Sequence, residues 1–216
     1  MSKKLALGFV RLISRLPMWF WYRISGIGFL IIFYLLGYRK KVVLNNLQAS
    51  FPDWEEKDLQ ITMIAFYRHL CDVLVETIKS FSISDKQLAK RVHLINPEIA
   101  QEMIQHHQGS LLLASHYGNF EWMCARLDLM CQDHIPTFAI YQPFSSPIME
   151  HLILAMRQRR GLKMLPMKYG MSQAIRELKQ FCLFGFIFDQ APHRGNRLFF
   201  TAFLHQATAF HTSVAK

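Results

Sequence analysis

Charge is scarce in this chain. Asp, Glu, Lys and Arg make up 19% of its 216 residues, against 51% hydrophobic and 13% aromatic residues. Disorder needs the opposite balance, so the chain folds. Acid is missing altogether from one end: no carboxylate precedes Asp53, although residues 1–41 hold eight Lys or Arg. Residues 42–149 carry seven bases against twelve acids, residues 150–216 ten against three, and the net charge is +10. A basic end joined to apolar sequence fits an anionic membrane surface. Stacking aromatics interleaved with Lys and Arg are lacking elsewhere, which speaks against nucleic acid as a partner. The four cysteines, Cys71, Cys124, Cys131 and Cys182, form no CxxC pair. They read as small buried hydrophobes in a reducing compartment. Ten histidines show no HExxH or H-x-H pairing beside carboxylates, so no metal is expected. Repeats, low-complexity segments and long linkers are absent too. At this length about 70% of the unfolded surface can be buried, enough for a core without staples.

An uninterrupted apolar run long enough to cross a bilayer is also lacking. Residues 24–37 are apolar for 14 positions, short of the ~20 required. Adding residues 18–22 extends the run only by placing Arg23 inside it. No small-residue cleavage site follows, so a removed signal peptide is not expected. Ahead of this run, residues 3–16 have helical spacing. Leu5, Phe9, Leu12, Ile13 and Leu16 fall on one face, with Lys4, Arg11 and Arg15 on the other. Residues 1–41 thus read as a membrane anchor that dips in rather than crosses, the alternative being a greasy core helix.

Residues 42–216 read as one further domain. Asp53 and Glu56 have the spacing of a capping box, and Leu59, Met63, Phe66, Leu70, Leu74 and Ile78 predict an amphipathic helix over 54–81. From residue 110 short apolar runs alternate with helical stretches. The expected strands are 110–115, 136–141, 162–166 and 182–189, with helices near 119–131, 146–160 and 170–180. That alternation predicts an α/β fold, a mostly parallel sheet flanked by helices.

The stretch LLLASHYGNFEW, residues 111–122, carries the clearest chemical signal. A buried strand runs into His116, then a glycine, then a helix start, and α/β folds place their sites at such strand ends. Glu121 lies five residues on. A carboxylate there can hold the Nδ1–H of His116, leaving Nε2 to take a proton from a hydroxyl. Gly118 permits close backbone approach, and amides at the helix start can receive developing negative charge. A strand-end histidine that merely caps a helix fits the same residues.

The run His116-Tyr117-Gly118-Asn119-Phe120-Glu121-Trp122 resembles the H-x4-[D/E] block of the glycerolipid acyltransferase superfamily. More narrowly, it resembles the H-[FYW]-G-N-W-E form of the bacterial lipid A biosynthesis lauroyl/myristoyl acyltransferases. Further pieces agree in order. Arg39 to Leu47 is similar to that family's R-x2-V-x-x-N-L, and Tyr141-Gln142-Pro143 stands where it has Tyr-Arg-Pro. Arg157 to Gly161 is similar to its R-x-x-x-G, Phe188-Asp189-Gln190 to its D-Q, and Phe203 to Phe210 to its F-[LF]-[NG]-x-x-[TA] block.

The resemblance implies a glycerolipid acyltransferase-like fold and transfer of a fatty acyl chain to a hydroxyl of a lipid A precursor or related lysolipid. The donor would be acyl carrier protein or acyl-CoA, with no cofactor, metal or covalent acyl-enzyme. It implies His116 as general base, Glu121 as its orienting partner, and Gly118, Asn119, Tyr141, Arg157, Arg160, Asp189 and Gln190 as substrate-binding. The expected place is the cytoplasmic face of the bacterial inner membrane. Arg157, Arg159 and Arg160 suit phosphates, or else form a solvated helix end. Asp189 either positions substrate or caps the next turn. Two departures stand out. Gln142 replaces an arginine and with it a fixed cation. The family normally continues for several tens of residues past Lys216, and the final AFHTSVAK departs from its pattern. A missing sheet edge is therefore expected to leave apolar surface bare. An inactive, membrane-associated remnant that only binds lipid or acyl carrier protein is the competing reading.

Overall fold

The computed structural model describes residues 2–106, 109–131, 135–177, 182–190 and 198–211. The last residues of the expected 170–180 helix and of the AFHTSVAK stretch lie outside them. The chain divides into two compact units, one of residues 1–15 with 80–190, the other of residues 16–79 with 191–216.

The first unit is the expected α/β body. Its strands are β1 (Ser110–Ala114), β2 (Thr137–Tyr141), β3 (Lys163–Pro166) and β4 (Leu183–Ile187), all parallel, in the order β1-β4-β2-β3. The last of the described parallel strands is thus inserted between the first two. Each expected strand is present, shortened by one residue in β1, β2 and β3 and by three in β4. Helix α1 (Lys3–Ser14) belongs to this unit and packs on α8 (Pro147–Arg157). Between them in sequence come α5 (Asp85–Arg91), α6 (Pro97–Gln105) and α7 (Phe120–Cys131); α9 (Met167–Glu177) follows β3. Ser84 and Gln87 close a capping box at the start of α5.

Both sheet faces carry apolar side chains. Phe138, Leu165, Cys182 and Phe184 form a core on one face, while Cys131, Ile135 and Leu183 pack with Met103, Ile104 and Leu112. Gly170 on α9 sits so close to Ile140 that an added Cβ would come within 3.1 Å of it. At the edge strand β1, Leu111 and Leu113 are 42% and 49% exposed. In α1 the small residues Ala6 and Ser14 are buried, whereas Leu5, Phe9 and Leu12 face outward. Its apolar stripe is therefore left on the surface, beside its bases.

Asp128 on α7 is buried and accepts hydrogen bonds from the Thr137 hydroxyl and, at 3.0 Å, the Leu162 N–H. Burial raises its carboxyl above the ordinary Asp range, although both hydrogen bonds oppose the shift. Asp128→Ala leaves two polar groups without an acceptor at the start of β2 and just before β3. At about 1–3 kcal/mol for each group, a clear drop in thermal midpoint is expected by calorimetry, and an unchanged midpoint refutes the role.

The second unit is helical. Helix α2 (Met18–Phe29) runs on through a π-helical turn, Leu30–Leu35, and is followed by α3 (Lys40–Ser50) and α4 (Glu56–Lys79). The amphipathic helix expected over 54–81 is α4, but its start differs. Glu55, not Asp53, takes the N-cap place, its carbonyl accepting the Leu59 N–H at 3.2 Å. Phe29, Phe33, Met63, Tyr67 and Cys71 form the core between α2 and α4. Met18–Leu35 is the one described helix long and apolar enough to cross a membrane, with a mean hydropathy of 1.4. Trp19, Ile27, Leu30, Tyr34 and Leu35 on its outer side are exposed. Strands β5 (Leu198–Phe203) and β6 (Gln206–His211) form an antiparallel ribbon. Its two-residue loop, Leu204-His205, has φ of 48° and 62°. A tight hairpin favours such left-handed pairs, usually filled by Asn-Gly.

Candidate active site

The α/β unit contains a cavity of about 500 Å³. Leu112, Ala125, Ala139, Met164, Gly185 and Phe186 contribute much of its apolar wall; His116, Gln142, Arg157 and Gln190 are among its polar lining. Small residues on adjacent strands leave this space open. Gly185 pairs in register with both Leu112 and Ala139, so a residue without a side chain sits between the two neighbouring strands.

His116 follows the carboxyl end of β1. The register aligns Ala114 with Ile187, and two residues beyond each stand His116 and Asp189. Their contact is twofold. The His116 N–H donates to Asp189 Oδ2 at 2.8 Å, and Nδ1 lies 2.7 Å from Oδ1. The His116 ring also meets Phe120 edge-on, with centroids 4.8 Å apart. An acceptor on Nδ1 selects the tautomer with its proton there, leaving Nε2 as the basic nitrogen.

The carboxylate at Nδ1 is therefore Asp189, where the sequence spacing pointed to Glu121. Glu121 lies in the first turn of α7 and its side chain is only 9% exposed. Both its oxygens receive the Arg157 Nε, at 3.2 and 3.1 Å, and Oε1 also receives Nη2 at 2.6 Å. Such a fork pairing is among the stronger ion-pair geometries. Strands β1 and β4 pair in register, which sets the residues two past their ends side by side, while Glu121 is engaged by Arg157 of α8.

The other expected site residues separate into groups. Tyr141, Arg157, Arg160 and Gln190 join His116 and Glu121 in the cavity wall. Asn119 caps α7, its Oδ1 accepting the Trp122 N–H at 3.0 Å. Gly118 turns the chain with φ of +59°, a conformation that favours glycine. The arginines expected to suit phosphates are engaged internally. Arg160 donates to Asp85 at 2.8 Å and the Ile83 carbonyl at 3.0 Å, and Arg159 donates to Ile83 at 2.8 Å.

Sequence reasoning missed Glu150. Its carboxylate accepts the Tyr141 hydroxyl at 2.6 Å and the Phe144 N–H at 2.9 Å, which ties down the loop after β2. Those hydrogen bonds hold the Glu150 carboxyl below its ordinary range, while burial, helped by Glu150, pushes the Tyr141 hydroxyl up to about 12. Only the Ser146-Pro147 helix start hinted that a first-turn acid would stand there. Cys124 also lines the cavity. Burial, then the Glu121 charge, pushes its thiol up to about 11, so it stays a neutral wall group rather than a nucleophile.

The chain matches the family described as bacterial lipid A biosynthesis acyltransferase over residues 2–216. It is 24% identical over 176 residues to a protein of Escherichia coli (strain K12), "Lipid A biosynthesis lauroyltransferase". That alignment covers 80% of this chain and 56% of the relative, so the chain spans little more than half of the relative's length. With the match running through nearly every residue, the chain belongs to the bacterial lipid A biosynthesis acyltransferase family.

Proposed function

We propose that the protein is a membrane-associated O-acyltransferase. It moves a fatty acyl chain from a thioester, acyl carrier protein or CoA, to a hydroxyl of a lipid A precursor or related lysolipid at the cytoplasmic face of the bacterial inner membrane. The observation that carries this reading is His116, held by Asp189 through Nδ1, in the wall of a largely apolar cavity. Nε2 takes the proton of the acceptor hydroxyl as its oxygen attacks the thioester carbonyl. Collapse of the tetrahedral intermediate breaks the C–S bond, and the departing sulfur takes that proton back from Nε2. Asp189 holds the ring and stabilises its transient positive charge. The α7 N-terminus, reached by Gly118 and Asn119, offers positive partial charge to the oxyanion. Gln190 and Tyr141 bound the substrate space, Arg160 contributes to its wall, and Arg157 with Glu121 keeps it in shape.

The apolar cavity is the place for the acyl chain. Gly185→Val narrows it at mid-sheet, where an added Cβ makes only ordinary contacts of 3.5 Å and 3.9 Å. Purified full chain is supplied with acyl carrier protein thioesters of graded length and with acyl-CoA, on lipid A precursor in mixed micelles. Acyl transfer is expected, with the preferred length shortened in Gly185→Val. No transfer from any donor, by protein that is folded and lipid-bound, refutes the assignment.

The membrane is the proposed seat of the N-terminal segment. The outward faces of α1 and α2 are apolar, and Lys3, Lys4, Arg11 and Arg15 accompany the first of them.

A further inference from the structure

We infer that the continuous helical run Met18–Leu35, α2 together with its π-helical turn and called α2 from here on, does not cross the bilayer despite being long and apolar enough to span it, and lies instead in one leaflet with both its ends on the same side. This deepens the proposed membrane seat and rests on it. The first argument is connectivity. Residues 1–15 belong to the same compact unit as residues 80–190; within it α1 packs on α8, and Ser82 donates to the Ser14 carbonyl at 2.6 Å. The chain therefore leaves this unit at residue 15 and returns at residue 80. Inside the helical unit the two ends of that excursion meet, for Lys79 Nζ donates to the Leu16 carbonyl at 3.0 Å. A segment that starts and finishes at one place crosses a membrane an even number of times. If α2 crossed once, a second helix would have to cross back.

No helix of the excursion can do so. Helix α3 has 11 residues, too few at 1.5 Å each for a ~30 Å hydrocarbon layer. Helix α4 has the length, 24 residues, but Arg68, His69, Asp72, Glu76 and Lys79 crowd its second half. Those charges stand along α2 itself. Ser25 donates to Asp72, Tyr22 donates to Glu76 at 2.7 Å, and the Arg68 guanidinium lies 5.2 Å from the centre of the Phe29 ring. Crossing by α2 would carry this charged flank into hydrocarbon, where such groups are expensive. Seated in one leaflet, α2 sends Trp19, Ile27, Leu30 and Tyr34 into lipid and keeps α4 behind it toward the headgroups and water.

Sidedness labelling of the full chain tests this. Lys4→Cys, on α1, and Lys57→Cys, at the start of α4, are both exposed positions flanking α2. Each is expressed in bacterial membranes and treated with a membrane-impermeant maleimide in inverted and in right-side-out vesicles. The unsubstituted chain, with its own four thiols, sets the background. Both cysteines are expected to label in the same vesicle type and to be protected in the other, with the protein resisting extraction by high salt. Labelling from opposite sides overturns the one-leaflet seat whether α2 crosses alone or with α4, and leaves membrane association intact. Recovery of the chain in the soluble fraction overturns both.

Discussion

His116→Ala and Asp189→Asn are expected to lower acyl transfer by about 10²–10⁴-fold each, while Glu121→Gln leaves a larger residual rate. The ranking follows from geometry. Loss of the imidazole removes the base. Asn at 189 can still contact Nδ1, but it offers an amide where a carboxylate accepted the proton, so it no longer favours the Nδ1–H tautomer or steadies imidazolium. Glu121 does not touch His116; its oxygens are taken by Arg157 at 2.6–3.2 Å. The effect of Glu121→Gln therefore runs through cavity shape. A rate measured against pH, with donor and acceptor saturating, separates these roles. Asp189→Asn moves the low-pH limb, where the base becomes protonated, along with the rate, whereas Glu121→Gln scales the profile without displacing it. If Glu121→Gln displaced the limb and Asp189→Asn did not, the His116–Asp189 pairing would be wrong.

The largest expected loss of stability is at Arg157. Its partner Glu121 is 9% exposed at the side chain, and Arg157→Ala would strand that carboxylate in the protein interior. Breaking one side of a buried pair typically costs about 3–5 kcal/mol, a large share of the about 5–15 kcal/mol that holds a domain together. Denaturant unfolding should show the midpoint fall with little change in slope. Arg157→Lys recovers only part, since an ammonium cannot reproduce the two-armed contact. Glu121→Gln combined with Arg157→Met should be more stable than Arg157→Ala, because no charge is then left unpaired. A double variant no more stable than Arg157→Ala would mean that packing, not charge, sets the cost.

The composition, the 3.6-residue period and the short apolar runs determined much of this molecule. Alternating apolar runs and helical stretches place β1 to β4 and α7 to α9 within a few residues of their observed bounds, because a helix with a wet side keeps an apolar stripe and a strand covered on both faces a continuous apolar run. The His116 block stands at a strand end, and the outward apolar stripe of α1 is readable as Leu5, Phe9 and Leu12. Strand order is another matter. Parallel strands in a doubly covered sheet all look alike in sequence, so nothing local says that β4 lies between β1 and β2. That insertion brings Asp189 to His116 across 73 positions and leaves nearby Glu121 for Arg157. The same limit hid α2's surroundings. Its sequence, with Arg23 interrupting the apolar run, reads as an anchor that dips in rather than crosses, but only the packing shows which helix lies along it, with Asp72 and Glu76 on the shared side. Periodicity is a property of the chain near each residue; which charged group faces which is decided by pairing and packing between segments far apart in sequence.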